Sequence, residues 1–307
     1  MQTELWAKVK QRFGWKYTLQ NNIIAYIRSV PSLGRLYYIP GVMGLTDPAQ
    51  FTNDIKNHAK KAFAVRLELN QLYDDDLVKK FVQEGWKASH KHVQYRHTVL
   101  IDLTKNQEDI WMSFKSRGRY EVLQAQKFGV EVEEAEPTNV NLQKMYELMK
   151  VTSARNKFFI RDATFSMAYW KAFAEQGQLK LFFAKHAGNI LAGAVILISG
   201  ELAWYKDGGS VRIKSNMMAA RLLQWEAIKS LKQAGVKTYD LGGIPAPESH
   251  HDSSMHGIYV FKTAYSKESV ALMPTLELPL STKYKFWPKA EKQWLRAYNL
   301  FAHNLWW

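Results

Sequence analysis

The sequence has no cysteine, no long apolar run and no residue spacing typical of a metal or nucleotide site. Without cysteine the chain has neither disulfide bonds nor thiolate chemistry, which fits a reducing cytoplasm. The first residues, Met-Gln-Thr-Glu-Leu-Trp, lack the charged and apolar regions of a secretory signal. No stretch approaches the roughly 20 apolar residues that a membrane-spanning helix requires. We therefore expect a cytoplasmic protein without a transmembrane helix.

Several enzyme classes lose support because their motifs are missing. No His-Glu-x-x-His spacing occurs, and the pair His250 and His251 lies in a polar loop that we interpret as solvated, so no metal site is predicted. The sequence has neither a Gly-x-x-x-x-Gly-Lys loop nor a Gly-x-Gly-x-x-Gly motif after a strand, which argues against nucleoside triphosphate and dinucleotide binding. No nucleophile elbow marks one serine. We expect no metal and no bound cofactor.

The chain is nevertheless rich in positive charge. Lysine and arginine number 42 against 28 acidic residues, a formal net charge of +14. Such an excess favours a polyanionic partner: nucleic acid, an anionic membrane surface or a phosphorylated substrate. Some organisms have generally basic proteins, so the charge alone does not choose among these partners.

Alternating helix and strand patterns indicate an α+β fold with two domains. With 307 residues, 47% of them hydrophobic, the chain is long enough for two ordinary cores. Residues 22–29 and 35–40 are rich in β-branched and aromatic residues and predict a hairpin. The segment 106–128 predicts one long helix, which Gly129 ends. The acidic stretch 130–137 is the predicted boundary between the domains.

The last residues differ in composition, because lysines alternate with aromatic residues. After Pro288 the spacing predicts a helix that carries Trp294, Tyr298, Phe301 and Leu305 on one stripe. One interpretation is a final helix docked on the first domain, since such stripes are usually core. The other is contact with an anionic membrane surface, which basic and Trp-rich helices suit.

The segment 239–262 is where we place the chemistry. A short strand from Tyr239 closes on Gly242 and Gly243, which allow a sharp turn and the close approach of a substrate. A polar loop follows, and then Phe261 and Lys262, in which the ring can restrict the ammonium and shield it from water. By itself, a Phe-Lys pair is usually surface.

Further cations at helix ends extend this set: Lys10, Arg119 and Arg161. Cations grouped at a site stabilise negative charge that develops in a transition state, and they supply no nucleophile. Lysine provides a compact point charge, whereas arginine provides a fork for phosphate or carboxylate. Each of these residues alone fits a surface position, so the interpretation depends on the set.

Seven motifs in chain order resemble the Fem-type aminoacyltransferases, and the resemblance covers nearly the whole chain. No single motif is specific, but their order is. The motifs are Trp6-Ala-Lys-Val-Lys10 with Gly14-Trp15, Tyr37-Tyr-Ile-Pro-Gly41, Thr98-x-x-Ile-Asp-Leu103, Lys115-Ser-Arg-Gly-Arg119, Leu223-Gln-Trp-Glu-Ala227, Tyr239-Asp-Leu-Gly-Gly243 and Gly257-Ile-Tyr-Val-Phe-Lys262.

The resemblance implies two tandem GNAT-like domains, formed by residues 1–136 with 275–307 and by residues 137–274. The chain is closest to the short, FemX-like members, because no heptad stretch for a coiled-coil arm is inserted. The implied activity is part of peptidoglycan biosynthesis: an amino acid passes from aminoacyl-tRNA, a co-substrate, to the stem-peptide amine of a UDP-linked or lipid-linked muropeptide. We expect a monomer, with peripheral contact to the inner membrane face as a further expectation.

The resemblance also implies residue roles. Lys262, held by Phe261, would face the ester carbonyl and the terminal nucleotides of the tRNA. Lys10 and Arg161 would grip the phosphates of the precursor, and Tyr239 would line the site of the acceptor peptide. Arg119 belongs to the family's basic helix.

Two other functions stay open. An ordinary GNAT enzyme would use acetyl-CoA, but that chemistry needs a glycine-containing turn at a helix start, and residues 211–220 contain no glycine. A non-enzymatic RNA- or membrane-binding protein could retain a degenerate fold, and its affinity would follow charge alone.

Overall fold

The chain folds into two compact units. The computed structural model describes residues 2–89, 91–212, 217–251 and 255–302. Unit 1 comprises residues 1–96 and 271–307, and unit 2 comprises residues 97–270.

Helices and strands alternate along both units. In chain order they are α1 (Glu4–Arg12), β1 (Lys16–Gln20), β2 (Ile23–Val30), β3 (Gly34–Val42), α2 (Pro48–His58), β4 (Ala62–Leu69), α3 (Asp75–Gln83), β5 (Lys87–Ala88), β6 (His97–Thr98), β7 (Leu100–Asp102), α4 (Gln107–Ser113), α5 (Ser116–Lys127), β8 (Glu131–Ala135), α6 (Asn139–Asn156), α7 (Ala163–Glu175), β9 (Leu179–His186), β10 (Asn189–Ser199), β11 (Leu202–Ser210), α8 (Ala219–Gln233), β12 (Thr238–Asp240), α9 (His256–Lys262), β13 (Val270–Ala271), β14 (Leu276–Pro279), a 3₁₀ helix (Thr282–Phe286) and α10 (Trp287–Ala302).

The two units share one sheet plan. In unit 1 the strand order is β1-β2-β3-β4-β14-β5, and in unit 2 it is β8-β9-β10-β11-β12-β7. Each sheet begins as an antiparallel meander and then has one parallel pair, β3 with β4 in unit 1 and β11 with β12 in unit 2. The chain connects each parallel pair through a helix, as a parallel crossover requires. The predicted α+β fold and the β2–β3 hairpin are confirmed.

The boundary between the units differs from the predicted one. It lies at 96/97, not at the acidic stretch 130–137, and the chain returns to unit 1 at residue 271, not at 275. Strand β8 in that stretch pairs with β9 inside unit 2, and Glu134 forms an ion pair with Lys180 at 2.6 Å. Since β7 also pairs with β12, the chain belongs to unit 2 from residue 97 onward.

The predicted helix 106–128 is wrong in one respect, because it is broken into α4 and α5. Phe114 and Lys115 have extended backbones, with ψ of 147° and 149°. The break allows the Phe114 ring to pack edge-on against Trp225 at 5.4 Å and Tyr265 at 5.2 Å. It also lets the Lys115 N–H donate to the carbonyl of Ala264 at 3.0 Å. Tertiary packing thus overrides continuous helix propensity.

The C-terminal helix α10 docks on unit 1, as the first of the two interpretations predicted. Trp287 is fully buried, with its ring 5.6 Å from that of Phe63. Trp294 and Tyr298 pack, partly buried, against the same cluster. The other two positions of the predicted stripe, Phe301 and Leu305, lie outside the residues whose side chains are described.

A buried ion network also holds α10. Arg66 on β4 pairs with Glu277 on β14 at 2.5 Å and with Glu291 on α10 at 2.6 Å, and each of these side chains is at most 5% exposed. Removing one partner of such a network leaves uncompensated buried charge. Among the residues described, we find no helix with the length and apolar character to cross a membrane.

Candidate active site

A tight turn at the end of β12 forms the frame of the site. Gly242 has a φ of +74°, a conformation that favours glycine. The turn is fixed at its start by Asp240, whose Oδ1 accepts the Gly242 N–H at 2.8 Å and the Thr98 hydroxyl. Asp240 is 7% exposed and lies beside Trp204 of β11, its parallel neighbour. The predicted sharp turn is confirmed at Gly242, and the close approach of a substrate stays a prediction.

Lys262, the last residue of α9, reaches this turn. Its Nζ donates to the carbonyl of Gly243 at 3.0 Å. A Cβ on Gly242 would stand 3.3 Å from the same nitrogen, so the missing side chain makes room for the ammonium. Burial lowers the pKa of Lys262 from 10.5 to about 8, and the negative charge of Asp240 opposes that fall. The ammonium end is thus held, partly desolvated, beside a buried carboxyl.

The ring near the Lys262 ammonium is not the predicted one. The Nζ lies 5.8 Å from the centroid of the Tyr205 ring. The Phe261 ring lies instead against Tyr265, at 5.7 Å, and under the guanidinium of Arg221, at 4.7 Å. Successive residues of a helix point in directions about 100° apart, which separates Phe261 from its neighbour.

Arg221 fixes the C-terminal end of α9, and the sequence prediction missed it. From α8 it donates to the carbonyl of Phe261 and pairs with Glu121 of α5 at 2.6 Å. It is 8% exposed. Cations near the last carbonyls of a helix interact favourably with its dipole. The only signal in the sequence is one arginine among the apolar residues of α8.

Helix α5 packs closely behind the same segment. A Cβ on Gly118 would lie 2.5 Å from the carbonyl oxygen of Ala264, two residues after Lys262. The predicted basic residue Arg119 donates from Nη1 to the carbonyl of Phe114 and therefore caps the end of α4. This contact gives Arg119 a structural role, whereas the sequence predicted a substrate contact.

Tyr239 requires a correction. It was predicted to line the acceptor-peptide site, but its side chain is fully buried in the core of unit 2. Its hydroxyl donates to Gln224 Oε1 at 2.8 Å. Residues alternate between the two faces of a strand, and Tyr239 lies on the face that packs on α8.

Lys10 and Arg161 both lie against aromatic rings. In unit 1, the Nζ of Lys10 is 3.7 Å from the centroid of the Trp15 ring and 4.7 Å from that of Tyr26. In unit 2, the Arg161 guanidinium lies 4.5 Å from the Phe165 ring. Cation–π contacts hold positive charge in place without neutralising it.

The polar loop and the first residue of α9 together contain a group that could hold a metal. His250, His251 and His256 each offer an imidazole nitrogen, and these nitrogens lie within 4.8 Å of one another. The sequence prediction considered the first two alone.

Together, the turn and Lys262 can stabilise an oxyanion. An ammonium has three N–H groups, and among the described residues the acceptor identified for Nζ is the Gly243 carbonyl. The others can donate to a substrate oxygen in a site where burial strengthens electrostatic interactions.

Sequence comparisons find a family domain and curated relatives. The family model described as an acetyltransferase (GNAT) domain matches residues 113–253, within unit 2. A lipid II:glycine glycyltransferase from Staphylococcus haemolyticus (strain JCSC1435) is 24% identical, over 67% of this chain and 66% of that protein. A protein of the same name from Staphylococcus aureus is 23% identical, with the same coverage. The chain thus covers slightly less than two thirds of the length of these relatives.

Solved structures share the fold. The crystal structure of FemX has a TM-score of 0.79 and 20% identity, covering 94% of this chain and 93% of that chain. The structure of L-PGS from Bacillus licheniformis has a TM-score of 0.57 and 12% identity, covering 92% and 93%. At these identities the likeness shows the fold alone. It confirms the expected α+β fold, while the family model supports a GNAT-like domain over residues 113–253, and the described residues include no coiled-coil arm.

Proposed function

We propose that this chain, which these likenesses support as a member of the Fem-type family, is an aminoacyltransferase acting on a peptidoglycan precursor. The relatives named lipid II:glycine glycyltransferase support a transfer to the stem peptide of a muropeptide. The finer part of the proposal is that the donor is an aminoacyl-tRNA and that Lys262 stabilises the transition state. Such a donor would place the protein in the cytoplasm, with any membrane contact peripheral.

One observation carries the proposal: the partly buried ammonium of Lys262 donates to the Gly243 carbonyl at 3.0 Å, at the end of the parallel pair β11–β12. Buried charge is costly, and perturbed pKa values cluster at functional sites. Asp240, which opposes the fall of that pKa, favours the charged form. A fully solvated surface lysine has neither a lowered pKa nor a fixed backbone acceptor.

The reaction needs orientation and charge stabilisation more than it needs a nucleophilic residue, because an aminoacyl ester is already activated. The acceptor amine attacks the ester carbonyl carbon, and its electrons form the new C–N bond. The carbonyl oxygen becomes an oxyanion, to which Lys262 donates. The C–O bond to the ribose then breaks, and the ribose oxygen takes the proton that the amine releases. Losing one such donor typically raises the barrier by about 2.7–4 kcal/mol.

Cations elsewhere fit polyanionic substrates. We propose that Lys10 and Arg161 contact phosphates of the precursor, because aromatic rings orient both side chains. The expected effect of Lys10→Ala is a raised KM for the precursor with little change in kcat. Equal KM values for the variant and the wild-type protein would reject this role. The net charge of +14 predicts tRNA binding that weakens as salt rises.

Acetyl-CoA is the second candidate donor, because the GNAT domain model matches residues 113–253. In that chemistry a glycine-containing turn before a helix binds the pyrophosphate through backbone N–H groups. The corresponding helix here is α8, and residues 211–220 before and at its start contain no glycine. Part of that segment, 213–216, lies outside the described residues. A CoA titration separates the two donors.

The decisive experiment offers the protein a mixed pool of charged tRNAs with either a UDP-linked or a lipid-linked muropeptide. Mass spectrometry of the product then identifies the amino acid, the number added and the acceptor. We expect the muropeptide to gain the mass of one or more aminoacyl residues. Acetylation with acetyl-CoA, without any gain from charged tRNA, would overturn the proposal. Transfer that persists after ribonuclease treatment would reject the tRNA donor.

A further inference from the structure

Three imidazoles converge where the loop that follows the Gly242–Gly243 turn meets the start of α9. One nitrogen from each of His250, His251 and His256 lies within 4.8 Å of the others. The rings of His250 and His251 are 3.8 Å apart, and each ring lies 5.4 Å from that of His256. Imidazole is the commonest metal ligand among side chains, so this convergence raises the question of a metal site.

The hydrogen bond of His250 leaves its Nε2 available to bind a metal. Its Nδ1 lies 2.8 Å from the carbonyl oxygen of Pro247. A carbonyl only accepts, so Nδ1 donates and Nε2 carries the lone pair. Metal-binding histidines usually fix their tautomer in this way, through the ring nitrogen that does not bind. The His250 ring also packs against the ring of Tyr259 of α9, tilted by 40° with 3.9 Å between the centroids, which restrains its position.

His256 supplies an independent observation. Its Nδ1 is buried, and among the described residues it has no hydrogen-bond partner. Buried polar atoms are nearly always paired, and an unpaired one needs an explanation such as an absent ion. In the tautomer that is protonated at Nε2, this nitrogen carries a lone pair that can bind a metal.

The distances between the three imidazole nitrogens are slightly longer than a bound metal ion requires. Two nitrogens bound to one tetrahedral Zn²⁺, at about 2.0–2.1 Å from the ion, stand ~3.4 Å apart. The present separations of up to 4.8 Å therefore need to shorten by at most ~1.4 Å, which ring rotations and small loop shifts supply. Three imidazoles leave a fourth position for water or for a substrate oxygen.

We propose that His250, His251 and His256 form a binding site for a late first-row divalent metal of the Zn²⁺ class. Imidazole nitrogen suits such ions, whereas Mg²⁺ and Ca²⁺ prefer oxygen ligands. His256 is the first residue of α9 and Lys262 is the last, so a bound ion ties the start of this helix to the loop. The inference does not depend on the reaction proposed above.

The test uses the full chain with any affinity tag removed, freed of metal by a chelator. Zn²⁺ is titrated by calorimetry, and Co²⁺ is added separately because its visible spectrum reports coordination geometry. We expect one Zn²⁺ per chain and a tetrahedral Co²⁺ spectrum. Affinity should fall as the pH is lowered, since protons compete for the ligand nitrogens. Mg²⁺ at the same concentration should not compete.

Matched variants decide whether these residues hold the ion. His250→Ala and His256→Ala should each weaken Zn²⁺ binding about tenfold or more and abolish the tetrahedral spectrum. His186→Ala, which changes a histidine of the same unit outside the cluster, should leave both unchanged. Circular dichroism checks that each variant is folded. Absence of saturable binding, or equal affinity in all three variants, would overturn the proposal.

Discussion

Replacing Lys262 with methionine should stabilise the protein at neutral pH while removing its proposed catalytic charge. The difference between the ordinary pKa of 10.5 and the value of about 8 in the folded protein, at about 1.4 kcal/mol per pKa unit, amounts to about 3 kcal/mol. This is the free energy by which folding disfavours the charged lysine. It is an upper estimate, because Lys262 is partly exposed as a residue and methionine leaves the Gly243 carbonyl without its donor.

The sign of the pH dependence follows from linkage. The folded pKa is below the unfolded one, so the unfolded state binds more protons between pH 8 and 10.5, and wild-type stability rises across that window. The methionine variant lacks this rise. Its advantage in the free energy of unfolding should therefore be largest below pH 8 and should vanish above pH 10.5.

Urea unfolding at a series of pH values from 7 to 10.5 measures this difference, with fluorescence and circular dichroism recorded together because two units can unfold separately. Lys267→Met, an exposed lysine five residues away, is the matched control and should change little. A Lys262→Met variant that is less stable than wild type at pH 7, or a difference that does not depend on pH, would refute the reasoning.

Three more predictions concern other features of the two units. Asp240→Asn keeps an oxygen acceptor for the turn but removes the charge that raises the pKa of Lys262. The fall of kcat at alkaline pH should therefore move to lower pH, and an unchanged dependence of kcat on pH would show that the two residues are not coupled. Gly118→Ala places a Cβ 2.5 Å from the Ala264 carbonyl oxygen, and should lower the free energy of unfolding by about 1–3 kcal/mol and reduce transfer in the same protein. Arg66→Met leaves the buried Glu277 without its cation and Glu291 with Lys91 alone, and should cost about 3–5 kcal/mol in urea unfolding. A loss below about 1 kcal/mol would contradict the buried network.

Local chemistry decided which parts of the fold were predictable from the sequence. The hairpin β2–β3 follows from runs of β-branched and aromatic residues on either side of Gly34, and these features act within the hairpin itself. The break between α4 and α5 could not be predicted, because the extended backbone at Phe114 is stabilised by rings on α8 and beyond α9. Distant contacts of this kind leave no local pattern.

The same distinction applies to the site. The sequence predicted that Lys262 and the two glycines belong to one functional segment, and in the structure a 3.0 Å hydrogen bond joins Lys262 to Gly243. Their contact with a substrate stays a prediction. The sequence analysis did not predict that α9 is a helix. For that reason it paired Lys262 with the wrong aromatic ring. Asp240 and Arg221 act through contacts with residues far along the chain, so neither had a signal beyond its residue type.

The most direct test of the central claim is the single-turnover rate of aminoacyl transfer by Lys262→Met at saturating concentrations of donor and muropeptide. Loss of the oxyanion donor should slow the chemical step by about 10²–10³-fold, with precursor binding retained. A folded variant that transfers the amino acid at the wild-type rate would contradict the account.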